Sequence, residues 1–134
     1  MLTLWCIFRS PLMIGTDLTQ LDEWTLSLLT NHEVMMLAKH TKNARQVERD
    51  AEHVIWCSEQ AWDWDGGDSE TRYLAVFNLK DQEADVVLPW DVLKDYGVCT
   101  KEGLDLWETD VDKCCVSLGE SVRLPAHGAG LYKL

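Results

Sequence analysis

The chain has 134 residues, 46% of them hydrophobic and 26% charged, the balance of a globular domain of ordinary size and not of a disordered chain. Twelve Lys and Arg against 23 Asp and Glu leave a net charge of −11. So acidic a chain lacks the cationic surface that phosphate backbones and anionic bilayers demand, which excludes nucleic acid and membrane surfaces as partners.

The first fourteen residues are strongly apolar. Their one basic residue, Arg9, interrupts the run and Pro11 follows it, so the stretch lacks the layout of a signal peptide. It is also too short to span a bilayer. It reads as protein interior. Leu4-Trp5-Cys6-Ile7-Phe8 predicts the end of a buried helix, stopped ahead of Pro11 because the residue before a proline avoids the α region. Pro11-Leu12-Met13-Ile14-Gly15 is a short, wholly apolar run closed by glycine, the pattern of a parallel strand covered on both faces.

Asp22 is placed to N-cap the next helix, with Leu21 and Leu26 as its hydrophobic staple. Leu26, Leu29, Val34 and Leu37 supply a buried stripe. Asn31 can cap a second short helical piece whose first turn holds Glu33. Helix, buried strand, helix is one turn of an α/β fold. A lone unit of that kind cannot bury its own apolar faces, and so implies neighbours.

Residues 1–43 carry three basic and four acidic side chains, so ten of the net negative charges lie beyond them. Periodicity changes at the same point. From Ala44 the pattern is all-β, with strands expected over Ala44–Arg49, His53–Glu59, Tyr73–Leu79, Ala84–Leu88, Leu104–Trp107, Cys114–Leu118, Ser121–Leu124 and Ala129–Leu134. Short runs punctuated by turn residues are the mark of an antiparallel sandwich or barrel. Tyr73-Leu74-Ala75-Val76-Phe77 is apolar on both parities, as a central strand is. Pro89-Trp90-Asp91-Val92-Leu93 predicts a helical turn inside a connection, with Pro89 near its start.

Five cysteines, Cys6, Cys57, Cys99, Cys114 and Cys115, include no CxxC pair, and the count is odd. Reduced cysteines in a cytosolic protein are the plain reading; nothing else places the chain in a compartment. The vicinal pair Cys114-Cys115 invites a redox-active reading, but a strand position with one thiol buried as a small hydrophobe is the plainer expectation. The four histidines, His32, His40, His53 and His127, have no metal-ligand spacing with one another or with the cysteines.

The loop Trp62-Asp63-Trp64-Asp65-Gly66-Gly67-Asp68-Ser69-Glu70 invites calcium binding or sugar stacking on Trp62 or Trp64. Its glycine comes too early for an EF-hand, and a solvated hairpin tip turning at Gly66-Gly67 is the simpler expectation. Asp17, at the carboxyl end of the expected buried strand, lies where α/β folds carry active sites, yet a small polar residue there commonly orients the next helix. His127, flanked by turn-forming residues, is expected to be structural. No two of the 23 acidic residues stand out as a general acid/base couple.

Leu4–Gly15, Asp17-Leu18, Trp24–Asn31 and Glu33-Val34 together resemble the end of the catalytic barrel of the α-galactosidases, or melibiases, of glycoside hydrolase family 27. Ala44-Arg45-Gln46-Val47, Ala75-Val76-Phe77-Asn78-Leu79, Asp105-Leu106-Trp107 and the closing Pro125–Leu134 are similar to that family's C-terminal β-sandwich. The resemblance runs from Leu2 to Leu134. It implies a mostly β fold: an antiparallel β-sandwich over 44–134, preceded over 1–43 by the last helix-strand-helix piece of a (β/α)8 TIM barrel.

The resemblance further implies a retaining glycosidase, a hydrolase that removes terminal α-galactosides in carbohydrate metabolism. The family's nucleophile and acid/base aspartates sit on the fourth and sixth barrel strands, which have no counterpart in this fragment. No catalytic, cofactor-binding or metal-ligating residue is therefore assigned, and no cofactor is expected. The galactoside substrate belongs to the complete enzyme, and self-association through the exposed barrel piece is expected of the chain alone. A stand-alone carbohydrate-binding or interaction module, stacking sugars on Trp62 and Trp64, is the alternative.

Overall fold

The computed structural model describes residues 1–61, 70–108 and 110–134. Helices α1 (Leu2–Phe8), α2 (Glu23–Leu29) and α3 (His32–His40) lead into β1 (Thr41–Arg49), β2 (His53–Gln60), β3 (Arg72–Asn78) and β4 (Ala84–Val87). Helix α4 (Trp90–Asp95) then precedes β5 (Glu102–Asp105), β6 (Cys115–Ser117), β7 (Ser121–Leu124) and β8 (Ala129–Lys133). All eight expected strands form, and every pairing between them is antiparallel.

The strands make a six-stranded sheet in the order β1-β2-β3-β8-β5-β6 and a two-stranded sheet of β4 and β7. Strand β3 is central, pairing β2 through Ile55↔Val76 and Cys57↔Leu74 and β8 through Ala75↔Leu131. Its apolar character on both parities has a direct outcome. Leu74 and Val76 face the small sheet, while Tyr73 and Ala75 face the helices, and all four are buried.

Two cores follow from those two faces. The sandwich core joins Ile55, Leu74 and Val76 of the large sheet to Val86, Val122 and Leu124 of the small one, and α4 closes it with Trp90 and Leu93. The second core lies on the opposite face of the large sheet, where Cys6 and Ile7 of α1 and Val34 and Leu37 of α3 cover Tyr73, Ala75, Leu106 and Leu131. Each such fully buried aliphatic side chain contributes about 1.5–3 kcal/mol, so both cores matter to the fold.

Close packing requires the glycine at position 130. A Cβ on Gly130 would lie 2.8 Å from ring carbons of Tyr132, whose side chain folds back over it at the sandwich core. Asn78, buried at the end of β3, ties three segments together. Its Nδ2 donates to Gln82 O at 2.8 Å, Pro125 O at 2.8 Å and Leu124 O at 3.2 Å, and its Oδ1 accepts from Lys80 N at 3.0 Å. Edge strand β1 is broken by two register shifts and exposes Lys42, Arg45 and Arg49, features that blunt edge-to-edge pairing.

The N-terminal segment departs from expectation in two ways. No strand forms over Pro11–Gly15; a parallel strand needs hydrogen-bonded neighbours, and the described residues contain no parallel pair. The buried stripe is also partial. Val34 and Leu37 are buried, Leu29 is half-buried, and Leu26 is 48% exposed. The caps do form as the sequence predicts: Asp22 Oδ1 accepts from Thr25 N at 2.6 Å and Asn31 Oδ1 from Val34 N at 3.2 Å.

Candidate functional site

Helix α1 is apolar on every side, a pattern that requires burial all round. Thr3, Cys6 and Ile7 meet that need against the sheet. The other side, Leu4, Trp5 and Phe8, is exposed, although the Phe8 ring meets Trp56 edge to face at 5.3 Å. The helix ends at Arg9, which adopts a left-handed conformation (φ 61°) as its N–H bonds back to Cys6 O.

The apolar surface continues past the helix. Met13 is 84% exposed, Trp24 70% and Leu18 61%. Of the 14 large hydrophobics exposed among the described residues, nine lie in the first 26 positions, so the exposed apolar surface is concentrated at this end of the molecule.

Asp17 lies within that surface and is consumed locally. Its Oδ1 accepts from Thr19 N at 2.9 Å and Thr19 Oγ1 at 2.7 Å, bonds that hold its carboxyl below the usual range and cap the 3₁₀ turn Leu18–Gln20. His127 is exposed in the turn between β7 and β8 (φ 52°), with Nε2 2.9 Å from Asp81 Oδ1. Trp62, Trp64 and Gly66-Gly67 lie outside the described residues. Cys115 is exposed and Cys114 half-buried, so neither thiol is the buried hydrophobe expected of the pair. Cys114 falls ahead of β6, outside the strand that would have turned one of them inward.

The β1–β2 hairpin brings together three residues that sequence spacing did not single out. His53 Nε2 lies 3.1 Å from Glu48 Oε1, and its Nδ1 lies 3.3 Å from Asp50 Oδ2. Asp50 Oδ1 also accepts from Glu52 N at 2.6 Å and His53 N at 2.8 Å, and these backbone donors hold its carboxyl below the usual range. A carboxylate at each ring nitrogen clamps the turn. The signal was present in Asp50, a turn-former three residues before His53, but only the hairpin's closure brings Glu48 to the second nitrogen.

Among the described residues, a cleft of about 600 Å³ beyond α4 is lined by Glu70, Arg72, Cys99 and Leu134.

No protein-family model matches the chain. A GH27 β-L-arabinopyranosidase from Geobacillus stearothermophilus superposes with a TM-score of 0.78 at 39% identity, over 99% of this chain and 28% of that one. The chain is similar to the C-terminal domain of glycoside hydrolase family 27 enzymes. Alpha-galactosidase 2 from Arabidopsis thaliana is 24% identical over 135 residues, covering 98% of this chain and 32% of the relative. Alpha-galactosidase I from Mortierella vinacea shares the fold with a TM-score of 0.77, at 23% identity over 98% of this chain and 33% of that one. The chain thus spans about a third of the length of the curated relatives it matches.

Proposed function

We propose that this chain is the C-terminal part of a retaining glycosidase of the family 27 type, in which residues 1–43 complete a barrel and 44–134 form the supporting sandwich. The carrying observation is the open side of α1, an all-round apolar helix only half covered by its own chain. The rest of the barrel covers that side in this reading, and also supplies the parallel neighbours that Pro11–Gly15 needs to become a strand.

The complete enzyme would cleave terminal α-D-galactosides or β-L-arabinopyranosides. The two sugars share one ring configuration and differ by the exocyclic hydroxymethyl group, so one pocket design serves both. Cleavage would proceed by double displacement through a glycosyl-enzyme intermediate. The two carboxyl groups would come from the barrel strands preceding residue 1, and this chain would hold the barrel closed.

Sequencing the DNA upstream of the Met1 codon tests the proposal. The expected result is an in-frame extension encoding the earlier barrel strands, whose full product hydrolyses an aryl α-galactoside or aryl β-L-arabinopyranoside while the 134-residue chain hydrolyses neither. Hydrolysis by the chain alone that survives further purification, or upstream DNA with no such reading frame, overturns it.

A further inference from the structure

The β1–β2 hairpin is irregular, and the irregularity decides where Glu48 points. Arg45↔Cys57 and Gln46↔Trp56 set a register that, continued, would put Glu48 opposite Val54. A shift between Gln46 and Glu48 puts it opposite Ile55 instead. A slip of one residue turns a side chain to the other face of the sheet, and Ile55 shares its face with His53, two residues earlier. The bulge therefore delivers Glu48 to the face that carries His53. Asp50 arrives from the turn. Its Oδ1 is tied to the N–H groups of Glu52 and His53, which leaves Oδ2 to face the ring.

This meeting leaves an imbalance. A neutral imidazole has one N–H and one lone pair, so it donates to one carboxylate only. Yet Glu48 Oε1 stands 3.1 Å from Nε2, and Asp50 Oδ2 stands 3.3 Å from Nδ1. One of the two contacts then sets an oxygen lone pair against a nitrogen lone pair unless a positive centre joins them. The His53 side chain is only 17% exposed, so water does little to separate them. Lys80, on the segment after β3, is engaged by Glu52.

We propose that Glu48, Asp50 and His53 form a site for one divalent transition-metal ion of the zinc class. Among the described residues they are the one group of three His, Cys, Asp or Glu side chains whose ligand atoms, one from each, lie within 4.8 Å of one another. One imidazole nitrogen with two carboxylate oxygens is a borderline donor set that suits zinc, whereas calcium takes about six to eight oxygens. Zinc holds such ligands at about 2.0–2.2 Å, which separates neighbouring ones by about 3–3.5 Å. The two contacts already have that spacing, and rotation of the Glu48 side chain, 42% exposed, closes the rest. Water completes the shell. The site lies within one hairpin and does not rest on the barrel reading.

The experiment strips the full chain with a chelator, titrates it with zinc chloride by calorimetry, and follows urea unfolding with and without zinc. The expected result is one zinc per chain and a higher unfolding midpoint, because the ion binds the folded hairpin. Binding is lost in His53→Gln and weakened at least about tenfold in Glu48→Gln. Circular dichroism of both variants is expected to match the parent, so that lost binding is not lost folding. Binding is kept in His127→Gln and in the triple variant Cys99→Ser, Cys114→Ser and Cys115→Ser, which removes the thiols outside the cores that also attract zinc. Zinc binding that survives His53→Gln, that vanishes with the thiols, or that calcium chloride matches overturns the assignment. So does a chain that takes up no zinc, which would hold His53 as an imidazolium between its two carboxylates.

Discussion

Trp107 donates its indole N–H to the hydroxyl of Thr3 across 3.1 Å, joining positions 104 residues apart in the chain. The bond pins α1 to the large sheet at the edge of the core formed by Ile7, Leu37 and Leu131. Asn31 repeats the device for α3: its Oδ1 caps the helix while its Nδ2 donates to Leu106 O at 2.7 Å. The helices are therefore registered on the sheet by directional bonds as well as by apolar contact.

Thr3→Val keeps the shape of a buried side chain and removes the acceptor, leaving the indole N–H without a partner. The expected loss is about 1 kcal/mol, since Trp107 is half-buried and water reaches part of the ring. Amide exchange in α1 is expected to quicken more than exchange in β3. Equal protection of both elements in parent and variant contradicts the pinning role.

Asn78→Ala removes the donor shared among the carbonyls of Gln82, Leu124 and Pro125 and the acceptor for Lys80 N. Two well-formed buried bonds and a small cavity together make the expected loss about 3 kcal/mol in urea unfolding. Asn78→Asp is expected to do at least as much harm, because a carboxylate donates nothing and would face three carbonyl oxygens. An Ala variant within 1 kcal/mol of the parent would refute the clasp.

Ser58 points in the opposite energetic direction. It is fully buried in β2, and its hydroxyl has no hydrogen-bond partner among the described residues. Ser58→Ala is expected to raise stability by about 1 kcal/mol, the desolvation penalty of an unmet hydroxyl. A midpoint that falls by that amount would show that the hydroxyl has a partner.

The strands were legible because each carries its own local signal: β-branched or aromatic residues, turn residues at both ends, and in Tyr73–Phe77 the double parity of a central strand. The Asp22 and Asn31 caps were legible for the same reason, being contacts within three residues. The strand expected at Pro11–Gly15 failed because its apolar pattern describes a position among neighbours, and ladder partners are no property of five residues. Trp107 with Thr3, the three carbonyls around Asn78, and Glu48 with His53 were illegible. Each joins segments that only the completed topology brings together.

Asp105 gives a pH dependence of defined sign. Desolvation first, and Glu108 in part, raise its carboxyl above the ordinary value, against the pull of the backbone bonds it accepts from Trp107 and Glu108. A carboxyl raised in the folded state favours folding when protonated, and that contribution disappears as pH rises through the folded value. At neutral pH its charge is therefore a burden. Asp105→Asn keeps an acceptor for Trp107 N, now 2.9 Å from Oδ1, and removes the charge. The variant is expected to be the more stable protein at pH 7, with the gap closing as pH falls into the carboxylate range near about 4. A gap that is constant with pH assigns the difference to packing and not to ionisation.

Self-association tests the N-terminal surface most directly. Met13 and Trp24 are 84% and 70% exposed, and neither belongs to the cores that hold the fold. Removing such apolar area from water favours association by roughly 25 cal/mol per Å², against repulsion between copies that each carry a net charge of −11. Screening that repulsion with salt is expected to shift the sedimentation of the chain toward dimers and higher species. Met13→Ser with Trp24→Ser is expected to restore the monomer at the same salt, with the unfolding midpoint unchanged. Assembly that persists in the double variant would move the contact to another surface. A monomer at every salt concentration would show that this surface does not pair with a second copy of itself.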